Sequence, residues 1–318
     1  MVALKDMRIL ITGVQGQVGF ELAKILPFSG AKIFVGGRRL GDGPFFGLPT
    51  VAIDLFQLNA LRQTLADLKP HLVINPAAYT QVDKAESEQN LAYQANAEAP
   101  FVIAEAMQKL GGSMIHFSTD YIYNPSHSHV IGEDEPKNPP NVYAASKWEG
   151  EKAIAGLDLP MLILRTSRVY GIQGHNFVKI MLRLAREREQ LSIVSDQIGS
   201  PSAATTVAQA VYTILMREPA DPLGYLAAHR GAYNLADQGY TDWFTFAQAI
   251  FAEARQLDFD LKVESIEPIL TAAYKTPAQR PLNSRLDLSK LQNTFGFYPP
   301  PWQSTLASFL YQSRLKLQ

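Results

Sequence analysis

The run Arg8-Ile9-Leu10-Ile11-Thr12 passes directly into Gly13-Val14-Gln15-Gly16-Gln17-Val18-Gly19 and then into a helical pattern from about Gln17 to Leu26. An unbroken apolar run of this length reads as a strand buried on both faces, the kind found in parallel sheets covered by helices. Glycines between strand and helix permit a tight turn. They also let backbone N–H groups approach a pyrophosphate at the helix N-terminus. Such glycines also occur in turns that bind nothing, and two residues separate Gly13 from Gly16, unlike the G-x-G-x-x-G spacing. Their place in the first strand–helix unit favours the dinucleotide reading.

The same rhythm continues through the first half. Strand signals at Lys32–Val35, Leu72–Asn75, Ser113–Ser118 and Met161–Leu164 alternate with helical patterns at Leu58–Leu68, Ala92–Leu110 and from near Tyr143. None of the strands alternates cleanly, so the expected fold class is α/β: a Rossmann-type doubly wound parallel sheet with a smaller C-terminal α/β substrate-binding region. Residues 1–170 form the expected dinucleotide-binding domain, with 204–236 returning to it through a strand at Tyr233-Asn234-Leu235. Residues 171–203 and 237–318 form the expected substrate-binding region. It contains helices at Phe177–Glu187, Asp242–Ala254 and Ser304–Arg314, while a helix near Thr205–Leu215 packs with the returning segment.

Composition removes several function classes. The 318 residues contain no cysteine, which excludes disulfides, thiolate catalysis and cysteine-ligated metals. A formal net charge of -1 gives no electrostatic reason to expect nucleic acid or a membrane surface as partner. No apolar stretch approaches the roughly 18 residues of a membrane span, and Met1–Arg8 lacks the apolar block of a signal peptide. A cytoplasmic enzyme is the default expectation. His127-Ser128-His129 reads as a polar surface loop, because closed metal sites need three or four placed ligands. Tyr298-Pro299-Pro300-Pro301-Trp302 reads as a rigid connection before the last helix.

Two arginines address the choice of dinucleotide. An acid at the end of the second strand would bind the ribose hydroxyls of NAD and repel a 2′-phosphate. Here the strand ends Gly36-Gly37-Arg38-Arg39, and two guanidinium groups suit a phosphate through charge-assisted hydrogen bonds. NADPH is therefore the expected cofactor, with NADH as the alternative. Asp54 and Leu55, after the third strand, are placed to flank the adenine.

The chemistry resides in Ser118-Thr119-Asp120, at a strand end, and in Tyr143-Ala144-Ala145-Ser146-Lys147. Catalytic groups in doubly wound sheets gather at the carboxyl ends of the strands. Tyr143 and Lys147 are four residues apart and share one helix face. A lysine cation near a phenol stabilises phenolate and brings tyrosine toward working pH as an acid–base group. Thr119 adds a second donor toward the same oxygen. Ser118, His116 and Asp120 suggest a hydrolase only superficially, since no nucleophile elbow surrounds Ser118.

With these residues in view, the chain resembles the dTDP-4-dehydrorhamnose reductases, within the extended short-chain dehydrogenases. The resemblance runs through Gly13–Phe20, Asn75–Thr80, Val82–Glu88, Ser118–Tyr121, Asn141–Glu151, Leu164–Tyr170, Asn176–Ala185, Ser195–Gln197 and Thr276–Leu286. It implies Tyr143 as proton donor, Lys147 as its helper and Thr119 as the residue tuning the tyrosine. It implies a cofactor site lined by Gly13, Gln15, Gly16, Gln17, Val18, Gly19, Asp54, Leu55, Ala77, Ala78, Tyr79 and Thr80. Thr119, Asp120, Arg280 and Asn283 would lie on the substrate side, and the substrate would be a dTDP-linked keto-deoxysugar.

Two positions depart from the family pattern. Thr166-Ser167-Arg168-Val169-Tyr170 carries Arg168 where the family commonly has tryptophan, so a cation able to pair with a diphosphate replaces an aromatic plane. Some members hold magnesium at a dimer interface through two glutamates. Glu21 matches one, but the other position is Thr205, so no metal is expected, and both monomer and homodimer stay open. An epimerase or dehydratase would share Tyr143 and Lys147. A non-catalytic regulatory subunit resembling the β subunit of methionine adenosyltransferase is the third reading.

Overall fold

A computed structural model describes residues 2–38, 40, 45–124 and 128–315. Arg39 and His127, both singled out above, lie outside the described residues. Seven strands make the central sheet: β1 (Arg8–Ile11), β2 (Lys32–Gly37), β3 (Thr50–Ala52), β4 (Leu72–Asn75), β5 (Ser113–Thr119), β6 (Met161–Thr166) and Gly231–Leu235. Their order is Gly231–Leu235, β6, β5, β4, β1, β2, β3, and every pairing is parallel. The chain reverses direction across the sheet at β1, between β4 and β2. In a doubly wound sheet, the crevice beyond the strand ends at such a point receives ligands.

Period-2 alternation explains why both faces are covered. Ile9 and Ile11 join one apolar cluster with Leu22 of the helix Gln17–Ile25 and Val207 and Val211 of the helix Ala204–Leu215. Leu10, between them, joins the opposite cluster with Leu61 and Leu65 of the helix Leu58–Leu68 and Val102 and Ile103 of the helix Ala99–Lys109. Burial of each such side chain contributes about 1.5–3 kcal/mol. β5 is buried along its whole length, as expected for a central strand.

Tyr233, Asn234 and Leu235 form part of the outermost strand, in register with Leu164, Arg165 and Thr166 of β6. The remaining C-terminal part packs helices Phe177–Glu187, Trp243–Gln256 and Trp302–Leu315 around a third cluster that includes Tyr170, Phe246, Trp302 and Phe309. Gln190–Val194 pairs there with Ser265–Ile269, a strand the sequence reading did not anticipate. Its Ser-Ile-Glu-Pro-Ile sequence is mostly solvent-facing and contains a proline, which sheets tolerate at an edge. The long helix expected over Ala92–Leu110 is interrupted by a π-turn at Gln94–Glu98.

Among the described residues, no helix is long and apolar enough to cross a membrane.

Candidate active site

The glycine loop is shaped by contacts that allow no side chain. Gly13 has φ +59°, and a Cβ there would lie 2.9 Å from the Ala77 Cα. A Cβ on Gly19 would lie 2.3 Å from the Gly13 carbonyl oxygen. Gly16 is the N-cap of the helix Gln17–Ile25 and provides no capping side chain. The first-turn amides therefore lack intrahelical acceptors and face the crevice end of β1 as an anion cradle. The Gln17 side chain turns away from this cradle. Its Nε2 donates to the Val169 carbonyl at 3.2 Å, and its Oε1 accepts from Asn176 at 2.9 Å. Asn176 also caps the helix Phe177–Glu187, so one asparagine ties the glycine loop to the C-terminal region.

Arg38 is exposed at the end of β2, with its guanidinium 5.8 Å from the Phe56 ring centroid. Asp54 closes a local turn by accepting the Phe56 N–H at 3.0 Å, and Leu55 beside it is buried. Beyond β4, Ala77 and Ala78 are half-buried and Thr80 is exposed. Tyr79 is buried, donates its hydroxyl to Glu88 at 2.5 Å and receives the Asn96 side chain on its backbone N–H at 2.8 Å. Asn96 Nδ2 donates to both the Tyr79 carbonyl and Ser146 Oγ, each at 3.0 Å. Ser146 Oγ in turn donates to the Tyr143 carbonyl. A single buried amide thus joins the loop after β4 to the helix Val142–Ala155, which carries Tyr143 and Lys147.

Asn141 caps that helix by accepting the Ala144 N–H at 2.8 Å, which sets where its first turn begins. Tyr143, in that turn, is half-buried and lies beside the Thr119 hydroxyl. Burial raises the phenol above the ordinary tyrosine range, Thr119 opposes the rise, and Asp120 and Tyr121 add to it. Lys147 is buried, and burial pushes its ammonium down to about 8. Its Nζ donates to the Phe117 carbonyl at 2.6 Å and lies 3.4 Å from His116 Nε2. Lys147 is not among the groups that shift the phenol here; it is anchored on β5 instead.

Asp120 does not face open solvent. Its carboxylate accepts Thr119 Oγ1 at 3.1 Å and Ser167 Oγ at 3.0 Å, with Ser284 as a further partner. It therefore fixes the rotamer of the threonine beside Tyr143. Arg168 adopts φ 47° and donates to the Thr241 and Gln197 carbonyls at 2.8 and 2.7 Å. Its guanidinium lies 4.1 Å from the Trp243 ring centroid, which gives the arginine a cation–π partner. Arg280 is held by Asp83 through Nη2 at 2.7 Å, while its buried Nη1 has no hydrogen-bond partner among the described residues. Asn283 is bonded to protein at both ends of its amide, donating to the His129 carbonyl and accepting from Arg285. Arg280 thus keeps a donor for a ligand, whereas the Asn283 side chain is engaged within the protein.

The family described as the RmlD substrate binding domain matches residues 7–315. Among curated relatives, the dTDP-4-dehydrorhamnose reductase of Burkholderia thailandensis is 39% identical, with 93% of this chain and 96% of that protein covered. The chain belongs to the dTDP-4-dehydrorhamnose reductase family. The reductase of Escherichia coli K12 is 36% identical over 93% of this chain and 95% of its own. Two solved members of the family are similar in fold. The dTDP-4-dehydrorhamnose reductase of Bacillus anthracis in complex with NADP has a TM-score of 0.84 at 31% identity, covering 96% of this chain and 99% of that one. The one from Clostridium acetobutylicum has a TM-score of 0.82 at 30% identity, with the same coverage.

Within this family frame, the structure gives roles to residues that the sequence reading assigned none. Asn96, Ser146 and His116 make the hydrogen bonds that hold the catalytic helix and its lysine. Asn96 carries no local signal, since its partners Tyr79 and Ser146 are 17 and 50 residues away in sequence. His116 had one: a histidine between Ile115 and Phe117 in a strand read as buried needs a buried partner.

Glu21, at the position matching one family metal ligand, accepts from Lys24 at 2.7 Å. Among the described residues, no group of three or more histidine and acidic side chains could hold a metal ion.

Proposed function

We propose that this chain reduces the C4 keto group of dTDP-4-dehydro-L-rhamnose to give dTDP-L-rhamnose, using NADPH. The observation that carries the reading is that Thr119, at the end of β5, faces Tyr143 on the helix Val142–Ala155, with the glycine cradle at the end of β1. The cradle fits a dinucleotide: Gly13 and Gly19 leave no room for side chains, and Gly16 leaves the helix amides uncapped. Arg38, exposed at the end of β2, fits a 2′-phosphate. When bound, the reduced nicotinamide supplies the hydride.

The chain's own residues supply the proton and the electrostatics. The raised phenol of Tyr143 stays protonated near neutrality, so it is poised as a donor to an alkoxide forming at C4. Thr119, whose hydroxyl hydrogen is held by Asp120, turns that hydrogen to the same oxygen as the alkoxide forms. Lys147, one helical turn from Tyr143, is anchored on the Phe117 carbonyl and does not lower the phenol, so Tyr143 keeps its proton until the alkoxide forms. Arg280, pinned by Asp83, offers its free Nη1 to an anionic group such as the diphosphate. In this reading residues 1–170 and 204–236 hold the cofactor, and 171–203 with 237–318 close over the sugar. Arg168, with its guanidinium over Trp243, contributes to that wall by tying together the Gln197 and Thr241 carbonyls.

The test is consumption of NADPH with dTDP-4-dehydro-L-rhamnose by wild type and Tyr143→Phe. Turnover by the wild type, with a loss of at least about 100-fold in kcat for the variant and unchanged NADPH binding, supports the proposal. Equal turnover by both proteins would contradict the role given to Tyr143.

A further inference from the structure

Beneath the catalytic helix runs a continuous chain of buried polar groups. Thr12 Oγ1 lies 2.6 Å from Asn75 Oδ1, Asn75 Nδ2 lies 3.1 Å from His116 Nδ1, and His116 Nε2 lies 3.4 Å from Lys147 Nζ. Thr12, Asn75, His116 and Lys147 are at most 2% exposed. They come from the ends of β1 and β4, the middle of β5 and the catalytic helix. Asn75 and His116 are register partners in adjacent strands, so the sheet itself brings them together. The chain also reaches the cofactor loop, because Thr12 Oγ1 accepts the Ala77 N–H at 3.3 Å.

The proton pattern along this chain can take two forms, set by the orientation of the Asn75 amide. In one, Thr12 donates to Asn75, the Asn75 nitrogen donates to His116 Nδ1, and the ring proton sits on Nε2. Such an Nε2–H can meet only an uncharged amine at Lys147. A half rotation of the Asn75 amide exchanges donor for acceptor: its oxygen turns to His116, its nitrogen donates to Thr12 Oγ1, and the 2.6 Å contact lengthens to about 2.9 Å as the Thr12 hydrogen turns away. Then His116 Nδ1–H donates to Asn75, and a bare Nε2 accepts from an ammonium. Burial and the adjacent lysine both hold the imidazole well below the usual histidine range, so the ring is neutral in either form.

We propose that His116 is a positioning residue for Lys147. In the working enzyme Asn75 holds it as the Nδ1–H tautomer, so that its Nε2 takes one hydrogen of the ammonium while the Phe117 carbonyl takes a second. This rests on the reductase reading for its kinetic consequence, though not for its structural one. The third hydrogen is left for the cleft above β5. The charged groups that reach this pair are few. Lys147 acts on His116, and Glu151, one turn along the helix, favours the charged lysine. Glu151 is itself held by Arg165 of β6 at 2.7 Å.

Two measurements test the proposal. Nitrogen-15 NMR of the histidine rings, with His116→Gln used to assign the signal, reads the tautomer without any substrate. The expected result at pH 6.5–7 is a neutral Nδ1–H ring. An Nε2–H ring, or a ring that titrates in the ordinary histidine range, would overturn the proposal. The second measurement is the pH profile of kcat/KM for wild type, His116→Leu and His116→Gln. Loss of a hydrogen bond to a charged group should move the basic limb of His116→Leu downward by at least about one pH unit. His116→Gln, whose Oε1 can accept the same hydrogen bond, should bring the limb back. A uniform loss at every pH with an unmoved limb would overturn the proposal and mark His116 as packing alone. If the wild type fails to turn over this sugar, the reductase reading fails, and the tautomer still decides the assignment of His116.

Discussion

Gly150 lies against the carbonyl oxygen of Asn96, so closely that a Cβ at 150 would sit 2.0 Å from it. The contact presses the catalytic helix onto the π-turn at Gln94–Glu98, where Asn96 bridges Tyr79 and Ser146. In an isolated helix, alanine is preferred to glycine by about 1 kcal/mol. Here the overlap is with backbone, which cannot rotate away, and overpacking of this kind costs about 1–3 kcal/mol. Gly150→Ala is therefore expected to lower stability in urea unfolding despite its better helix propensity. It is also expected to weaken NADPH binding, because Asn96 carries the loop after β4. A stabilised variant with unchanged binding would show that the helix can move off Asn96 freely.

Asp237 is fully buried and accepts from the Ala203 N–H at 3.0 Å and Thr305 Oγ1 at 2.6 Å. Burial pushes its carboxyl up to about 6, against the pull of its hydrogen bonds. Between its unfolded value of about 3.9 and the folded one, the folded state holds the proton that the unfolded state has released. Its contribution to stability therefore falls as pH rises through that window and is constant above it. Asp237→Asn does not titrate. Its stability relative to wild type is expected to improve from pH 4 to pH 6 by about 2–3 kcal/mol and then level off. A difference that does not vary with pH would remove the assignment.

Arg38 stands where NAD-dependent folds place an acid for the ribose hydroxyls, and its guanidinium is exposed beside Phe56. A charge-assisted contact to a 2′-phosphate should be worth about 1.5–3 kcal/mol. Arg38→Asp is expected to reduce kcat/KM for NADPH by about 10–100-fold while leaving NADH unchanged or improved. Equal losses with both cofactors would mean that Arg38 does not read the phosphate.

Much of this molecule is readable along the chain because its signals are local. The glycine loop, the strand–helix alternation and the Tyr143–Lys147 spacing each lie within one or two turns of backbone. The return of Tyr233–Leu235 to the sheet was also legible, from its apolar character after a helix. What could not be read is what depends on distant partners. Asp120 looks like a ligand-facing acid in sequence, yet Ser167 and Ser284 take up its carboxylate. Arg168 looks like a free cation, yet the Gln197 and Thr241 carbonyls, 29 and 73 residues away, and the Trp243 ring hold it. Asn283 was placed on the substrate side by resemblance, and its amide is engaged by His129 and Arg285. Lys147 fits its helix-face pairing with Tyr143, but its anchor on Phe117 and His116 comes from the fold of β5.

The central claim is that this chain delivers hydride to C4 of a nucleotide-linked keto-deoxysugar. Incubation of dTDP-4-dehydro-L-rhamnose with NADPH deuterated at the transferred position, followed by NMR of the sugar product, tests it most directly. The account predicts one deuterium at C4 of dTDP-L-rhamnose and none elsewhere in the ring, with formation of that product abolished in Tyr143→Phe. Unlabelled or unconverted sugar from folded protein that binds NADPH would contradict it.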